Sequence, residues 1–265
     1  MRASRSITLL LTLASGAFAQ DFGRPAMLRG VGVDQRLNAQ LPLEARFLDE
    51  AGQSVRLGEY FRGKPVVLAL VYYQCPMLCN MEMTGLAESL KKVPMQPGRD
   101  FQFVAISFDQ RDTPALAAVK KATVIKTYGR AGVEGGMHFL TGRDAEIKQV
   151  TDAAGFHFAW DRITSQFAHA SAVMLVTPEG KMSRYFYGIK YSERDLRLGL
   201  VEASNNQIGS PTDQVLLFCF HYDPSTGKYG LAIINLLRVL GSATALGLGA
   251  FVLVMFKRER RWRPV

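Results

Sequence analysis

Cysteine is scarce in this chain: three residues in 265, at positions 75, 79 and 219. So few exclude a disulfide-stapled scaffold, and stability must come from a buried apolar core. Internal repeats and low-complexity segments are absent, which removes solenoids and disordered arrays. Acidic residues are also short, 23 against 32 Lys and Arg, for a net charge of +9. Most of that excess belongs to the two ends. Arg2 and Arg5 supply two positives and the tail from Lys257 supplies four net, so three remain for everything between. Charge distributed in this way builds no basic binding face, and a nucleic-acid partner is not expected.

The ends carry addresses. Residues 1–19 read as an export signal: two arginines, an apolar stretch from Ile7 to Leu13, then small residues closing on Ala17-Phe18-Ala19. Val239 to Phe256 is a run of 18 residues without a charge, enough to span a bilayer, and residues 231–256 are expected as a transmembrane helix. The basic tail, 257–265, belongs on the cytoplasmic side by the positive-inside rule. Together these predict a single-pass protein of the cell membrane. Its working part lies on the extracytoplasmic, periplasmic side, tethered from the C-terminus.

Between the ends, residues 20–40 are Gly- and Arg-rich without a period and read as an extended arm. Residues 41–203 carry the domain and 204–230 a polar juxtamembrane linker. Leu43 to Tyr60 alternates around Asp49-Glu50-Ala51-Gly52, the pattern of a hairpin. Val66 to Tyr73 is apolar at every position, as a central strand must be. Met83, Leu86 and Leu90 follow at helical spacing, and Phe103 to Phe108 is a second strand. Thr113-Pro114 opens a helix running to Tyr128. Met137 to Leu140 is a short strand. Thr141 to Asp144 has capping-box spacing ahead of a helix that Gly155 stops. Strands from Ala172 and Met182 flank Pro178-Glu179-Gly180, and Ser192 caps a last helix. The order predicts an α/β, thioredoxin-like fold of peroxiredoxin type, with an N-terminal hairpin and one C-terminal transmembrane helix.

The chemistry sits at Cys75-Pro76-Met77-Leu78-Cys79, where a strand delivers two thiols to a helix start. A helix N-terminus stabilises negative charge, so at least one thiol is expected to ionise easily. Their spacing is one residue longer than in the Cys-x-x-Cys redox motif. The segment that in thioredoxin-like redox enzymes carries a proline facing the thiols reads Ser165-Gln166-Phe167-Ala168-His169-Ala170, with no proline. It offers His169 instead, just ahead of the strand from Ala172. Two thiolates and an imidazole make a soft, low-coordinate site that suits copper better than tetrahedral zinc, which needs a fourth ligand.

These blocks resemble the Sco/SenC family of copper-binding, thioredoxin-fold cytochrome c oxidase assembly proteins. They are Gly63-Lys64-Pro65-Val66-Val67-Leu68 leading to the cysteine pair, Ile106-Ser107-Phe108-Asp109 with Arg111-Asp112-Thr113-Pro114, and His169-Ala170-Ser171 running into Thr177-Pro178-Glu179-Gly180. The resemblance implies copper ligands at Cys75, Cys79 and His169, an acidic neighbour at Asp109, and the copper-bearing oxidase subunit as partner. Met77 and Asn80 stand where the family commonly has an acidic residue and a proline. Met77 is also a thioether beside the thiols. In the linker, Cys219 and His221 would share a strand face and form part of a second soft-metal site. The rival reading is a thiol-disulfide oxidoreductase with Cys75 attacking and Cys79 resolving. A peroxidase is disfavoured, since no Thr-x-x-Cys setting is found.

Overall fold

A computed structural model describes residues 30–75, 78–209, 222–223, 228–229 and 231–261. In chain order its elements begin with β1 (Gly32–Val33), β2 (Arg46–Leu48), β3 (Ser54–Arg56) and β4 (Val66–Val71). Next come α1 (Leu78–Lys92), β5 (Gln102–Ser107), α2 (Pro114–Tyr128), β6 (Met137–Leu140) and α3 (Asp144–Ala154). The strands β7 (Phe156–Asp161), β8 (Gln166–His169), β9 (Ala172–Val176) and β10 (Met182–Tyr187) lead to α4 (Glu193–Ser204). A two-strand ladder, β11 (Tyr222–Asp223) with β12 (Lys228–Tyr229), precedes α5 (Leu231–Arg261).

The main sheet runs β10-β9-β4-β5-β6. β4 lies at its centre, parallel to β5 from Val66 opposite Gln102 to Val71 opposite Ser107, and antiparallel to β9. That position explains its composition. With helices over the sheet, both faces of β4 are dry, and all six side chains are buried. The predicted hairpin forms as β2 and β3. α2 starts as expected, with the Thr113 hydroxyl accepting from the Leu116 N–H and Pro114 in the first turn. Ser192 caps α4 by accepting from the Asp195 N–H.

Three local features differ from the sequence reading. First, the capping box at Thr141 does not form: Arg143 takes the N-cap position and no side chain caps α3. Thr141 is instead drawn into a bridge with Leu48, exchanging both backbone hydrogen bonds at 2.7 and 2.9 Å, which leaves its hydroxyl buried and unpartnered. Second, the end of the expected arm is paired to the domain. Gly32 and Val33 align antiparallel to β7, and the Asp34 N–H donates to the Gly155 carbonyl at 2.8 Å. Gly155 allows this, since it holds φ +64° and a Cβ there would stand 2.1 Å from the Asp34 oxygen. Third, β7 and β8 form a hairpin where no turn signal was read. Ser165 takes the left-handed conformation, φ 54°, that glycine or asparagine usually marks.

Within α5, Arg238–Phe256 is a 19-residue segment long and apolar enough to cross a membrane, and none of it is buried against the protein. His138, on β6, carries a testable consequence of burial. Its Nε2 lies 3.1 Å from Gln102 Oε1, and its ring rests 4.2 Å from Tyr60. Burial, aided by Lys121, pushes its pKa down to about 4. The unfolded ring titrates near 6.5, so the unfolded chain binds the proton first on acidification. The stabilisation is fully present above that value and is lost as pH falls from about 6.5 towards 4, about 3 kcal/mol in all. The urea midpoint is expected to drop between pH 7.5 and 4.5, and to drop measurably less in His138→Gln. Equal drops in the two proteins would exclude this ring as the cause.

Candidate metal centre

The thiols are placed by the end of β4. After Val71 the chain turns, and the Asp112 carboxylate holds the turn by accepting from the Tyr73 N–H at 2.6 Å and the Ser107 hydroxyl at 2.7 Å. Cys75 closes that turn, its N–H donating to the Tyr72 carbonyl. Cys79 lies in the first turn of α1 and donates its N–H to Cys75 Sγ at 3.3 Å. The helix terminus therefore points an unsatisfied backbone donor at a sulfur. Asn80, at the family's proline position, ties the same segment down: its amide donates to the Cys75 carbonyl at 3.0 Å and accepts from Lys120 of α2 at 2.6 Å.

His169 arrives from the opposite side as the last residue of β8, paired with Phe158, not as the residue entering β9. Its Nδ1 sits 2.9 Å from the Ala170 carbonyl, which can only accept, so in the neutral ring that nitrogen carries the hydrogen. Nε2 is left with a free lone pair 3.2 Å from Cys79 Sγ. The ring is walled by Phe108, Tyr72 and Phe156 at centroid distances of 5.2, 5.8 and 6.3 Å. Cys75 Sγ, Cys79 Sγ and a His169 nitrogen all lie within 4.8 Å of one another, a group that could hold a metal ion.

The electrostatics refine the sequence expectation. Cys79 does not ionise easily: its hydrogen bond to the Cys75 sulfur and its burial push the thiol well above the ordinary range. Two sulfurs in so dry a space resist carrying two negative charges, and a shared proton relieves the repulsion. Burial pushes Tyr72 up as well, with its hydrogen bond to Cys75 acting in the same direction. Lys120 is the nearby cation. Burial lowers its pKa, while both cysteine sulfurs oppose that shift.

The remaining predicted residues are placed as follows. Asp109 is buried, but its carboxylate goes to Arg111, with Nε 2.8 Å from Oδ1 and Nη2 2.7 Å from Oδ2. Arg111 in turn lies 4.4 Å over the Trp160 ring and 5.5 Å over Phe167. Asp109 thus braces the hairpin that carries His169 and acts on the donors only through it. Met77, Cys219 and His221 lie outside the described residues. Glu82, one turn beyond Cys79 and fully buried, was missed. Its signal was an acidic residue on the apolar face of a helix otherwise read from Met83, Leu86 and Leu90.

A thioredoxin-like sheet with a buried thiol pair at a helix start, and an imidazole converging on it, defines a thioredoxin-like protein equipped to bind a soft metal ion. Residues 34–197 match the SCO1/SenC family model, and the chain belongs to that family. Among solved structures, a candidate electron transfer protein of Aquifex aeolicus VF5 is 24% identical over 64% of this chain and 95% of its own, with a TM-score of 0.54. A SCO1/SenC family lipoprotein of Bacillus anthracis is 19% identical over 64% of this chain and 99% of its own, with a TM-score of 0.51. These likenesses establish the fold. A search of curated protein sequences gives no match.

Proposed function

We propose that this protein is a copper metallochaperone. It is tethered to the cell membrane by its C-terminal helix, works on the extracytoplasmic side, and hands copper to the copper-bearing subunit of cytochrome c oxidase during assembly. The observation that carries the reading is the convergence of two sulfurs and one imidazole nitrogen within 4.8 Å. Thiolate sulfur selects soft ions, and three donors suit cuprous copper better than zinc. Membership of the SCO1/SenC family supports the link to oxidase assembly. Three donors leave one side open, so a bond to an acceptor sulfur can form as a bond to one of the carrier's donors breaks, with no electron moved. Sidedness rests on the chain's ends: the signal-like residues 1–19, the apolar span Arg238–Phe256, and the basic residues that follow it. Residues 41–203 would be the exported domain and 204–230 its linker.

The test is the copper content of the full chain, purified reduced in detergent and loaded with cuprous ion. One tightly held equivalent is expected, and it should disappear in Cys75→Ser and in Cys79→Ser. Retention of that equivalent in the double serine variant would sink the reading. A second equivalent that vanishes with Cys219→Ser would assign a further soft site to Cys219 and His221.

One observation favours the rival reading, a thiol-disulfide oxidoreductase. The α1 N-terminus donates to Cys75 Sγ while Cys79 is kept protonated, the asymmetry that an attacking and a resolving thiol require.

A further inference from the structure

Glu82 is 0% exposed, and its partners are few for a buried carboxylate. Oε2 stands 2.7 Å from the Ser171 hydroxyl, and Oε1 has no partner. The Ser171 oxygen is also 2.9 Å from the Gly188 carbonyl, which can only accept. A hydroxyl carries one hydrogen. The Gly188 carbonyl also accepts from the Tyr191 hydroxyl, so Ser171 either gives its hydrogen to Glu82 or gives it to Gly188 and takes the shorter contact's hydrogen from Glu82. Charge bookkeeping selects the second arrangement, because no described cation pairs with Glu82, and an unpaired buried carboxylate would cost several kcal/mol. An unpartnered carbonyl of a neutral acid is much cheaper to bury than an unpartnered carboxylate oxygen. Burial pushes the Glu82 pKa up to about 8, with Ser171 opposing and Cys75 adding to the rise.

We infer that Glu82 is a positioning residue. As a neutral acid it donates to Ser171 and so fastens α1, which bears Cys79, to the segment that follows His169. The chain runs from His169 through Ala170, whose carbonyl sets the ring tautomer, to Ser171, whose hydroxyl meets both Glu82 and Gly188. Fixing Ser171 against α1 limits how far the imidazole can swing from Cys79 Sγ. The same helix face is seated closely on the segment after β10. A Cβ at Gly85 would stand 1.8 Å from the Ile189 carbonyl oxygen, so only glycine lets α1 approach this far. The consequence for metal ligation rests on the copper reading, but the latch itself is measurable without metal.

The experiment uses the full, reduced, metal-free chain in detergent. It follows amide hydrogen exchange at residues 169–172 and the imidazole resonances of His169. Glu82→Gln keeps a donor to Ser171 and is expected to match the wild type. Glu82→Leu keeps the volume and removes the donor. Exchange there is expected to rise about tenfold, with the His169 signals shifting towards those of a solvated ring. Wild-type behaviour in E82L, or E82L-like behaviour in E82Q, would overturn the inference. Should E82L fail to fold, Ser171→Ala decides: unchanged exchange in S171A overturns it, and a similar tenfold rise supports it. With cuprous ion added, E82L is expected to keep sulfur ligation and lose nitrogen ligation, with affinity about 10- to 100-fold lower. If the wild type binds no copper the metallochaperone reading falls, while the metal-free comparison still decides the latch.

Discussion

Replacing His169 with alanine is expected to lower affinity for cuprous ion by about 100-fold or more while leaving the fold intact. Loss of an outer partner of a metal ligand typically costs 10- to 100-fold, and loss of a ligand should cost at least as much. Nε2 is the only nitrogen in the three-donor group, and Nδ1 is committed to the Ala170 carbonyl, so no rotation of the remaining atoms replaces it. The fold should survive because the ring lies at the end of β8 and is only partly buried. The same variant separates the two functional readings. A metal carrier fails without the imidazole. A dithiol reductase keeps both sulfurs and should reduce a disulfide substrate at near wild-type rate. Copper affinity unchanged in H169A, measured by competition with a cuprous chelator, would remove the ligand role of His169 and leave a plain dithiol protein.

Phe108→Ala is expected to have the largest effect on stability near the site, about 3 to 5 kcal/mol. The Phe108 ring is 3% exposed and packs against Tyr72, Phe156, Phe158, Phe167 and His169, with centroids between 4.5 and 5.5 Å. It joins the end of β5, the β7–β8 hairpin and the turn before the thiols, so its loss opens a cavity bordered by all three. For a domain of this size the thermal midpoint should fall by roughly 10 °C. Phe108→Leu should recover most of that, since it refills most of the volume. Ile163→Ala, at a residue 88% exposed, should change stability by no more than about 0.5 kcal/mol. Equal thermal shifts in F108A and I163A would show that the aromatic cluster does not support the site. Copper affinity should weaken in F108A, because one wall of the imidazole pocket is gone.

Much of the framework was legible because it depends on local rules. Six consecutive apolar residues, Val66 to Val71, short, valine-rich and preceded by Gly63 and Pro65, read as a central strand, and the strand is there. Thr113-Pro114, Ser192 and Gly155 mark helix ends by capping chemistry that acts within a turn or two. Thr141 shows the limit of such rules. Its spacing was right for a cap, but a bridge to Leu48, far away in sequence, claimed its backbone. The β7–β8 hairpin went unread although Asp161 signals its turn, accepting from the Ile163 and Thr164 N–H groups; with neither Gly nor Pro present, the left-handed position falls to Ser165.

By itself the chain determined the thioredoxin-like order of elements, the close pair of thiols at a helix start, and the apolar segment 239–256. Those follow from residue type and near-neighbour spacing, which the backbone reads locally. Only the tertiary structure decided the rest. It brought Nε2 of His169 to 3.2 Å from Cys79 Sγ across 90 residues of chain. It pushed the Cys79 thiol up through its contact with Cys75 and its burial, turned Asp109 towards Arg111, and enclosed Glu82 without a counter-charge among the described residues. Burial and long-range pairing set those outcomes, and neither is written in any one stretch of sequence.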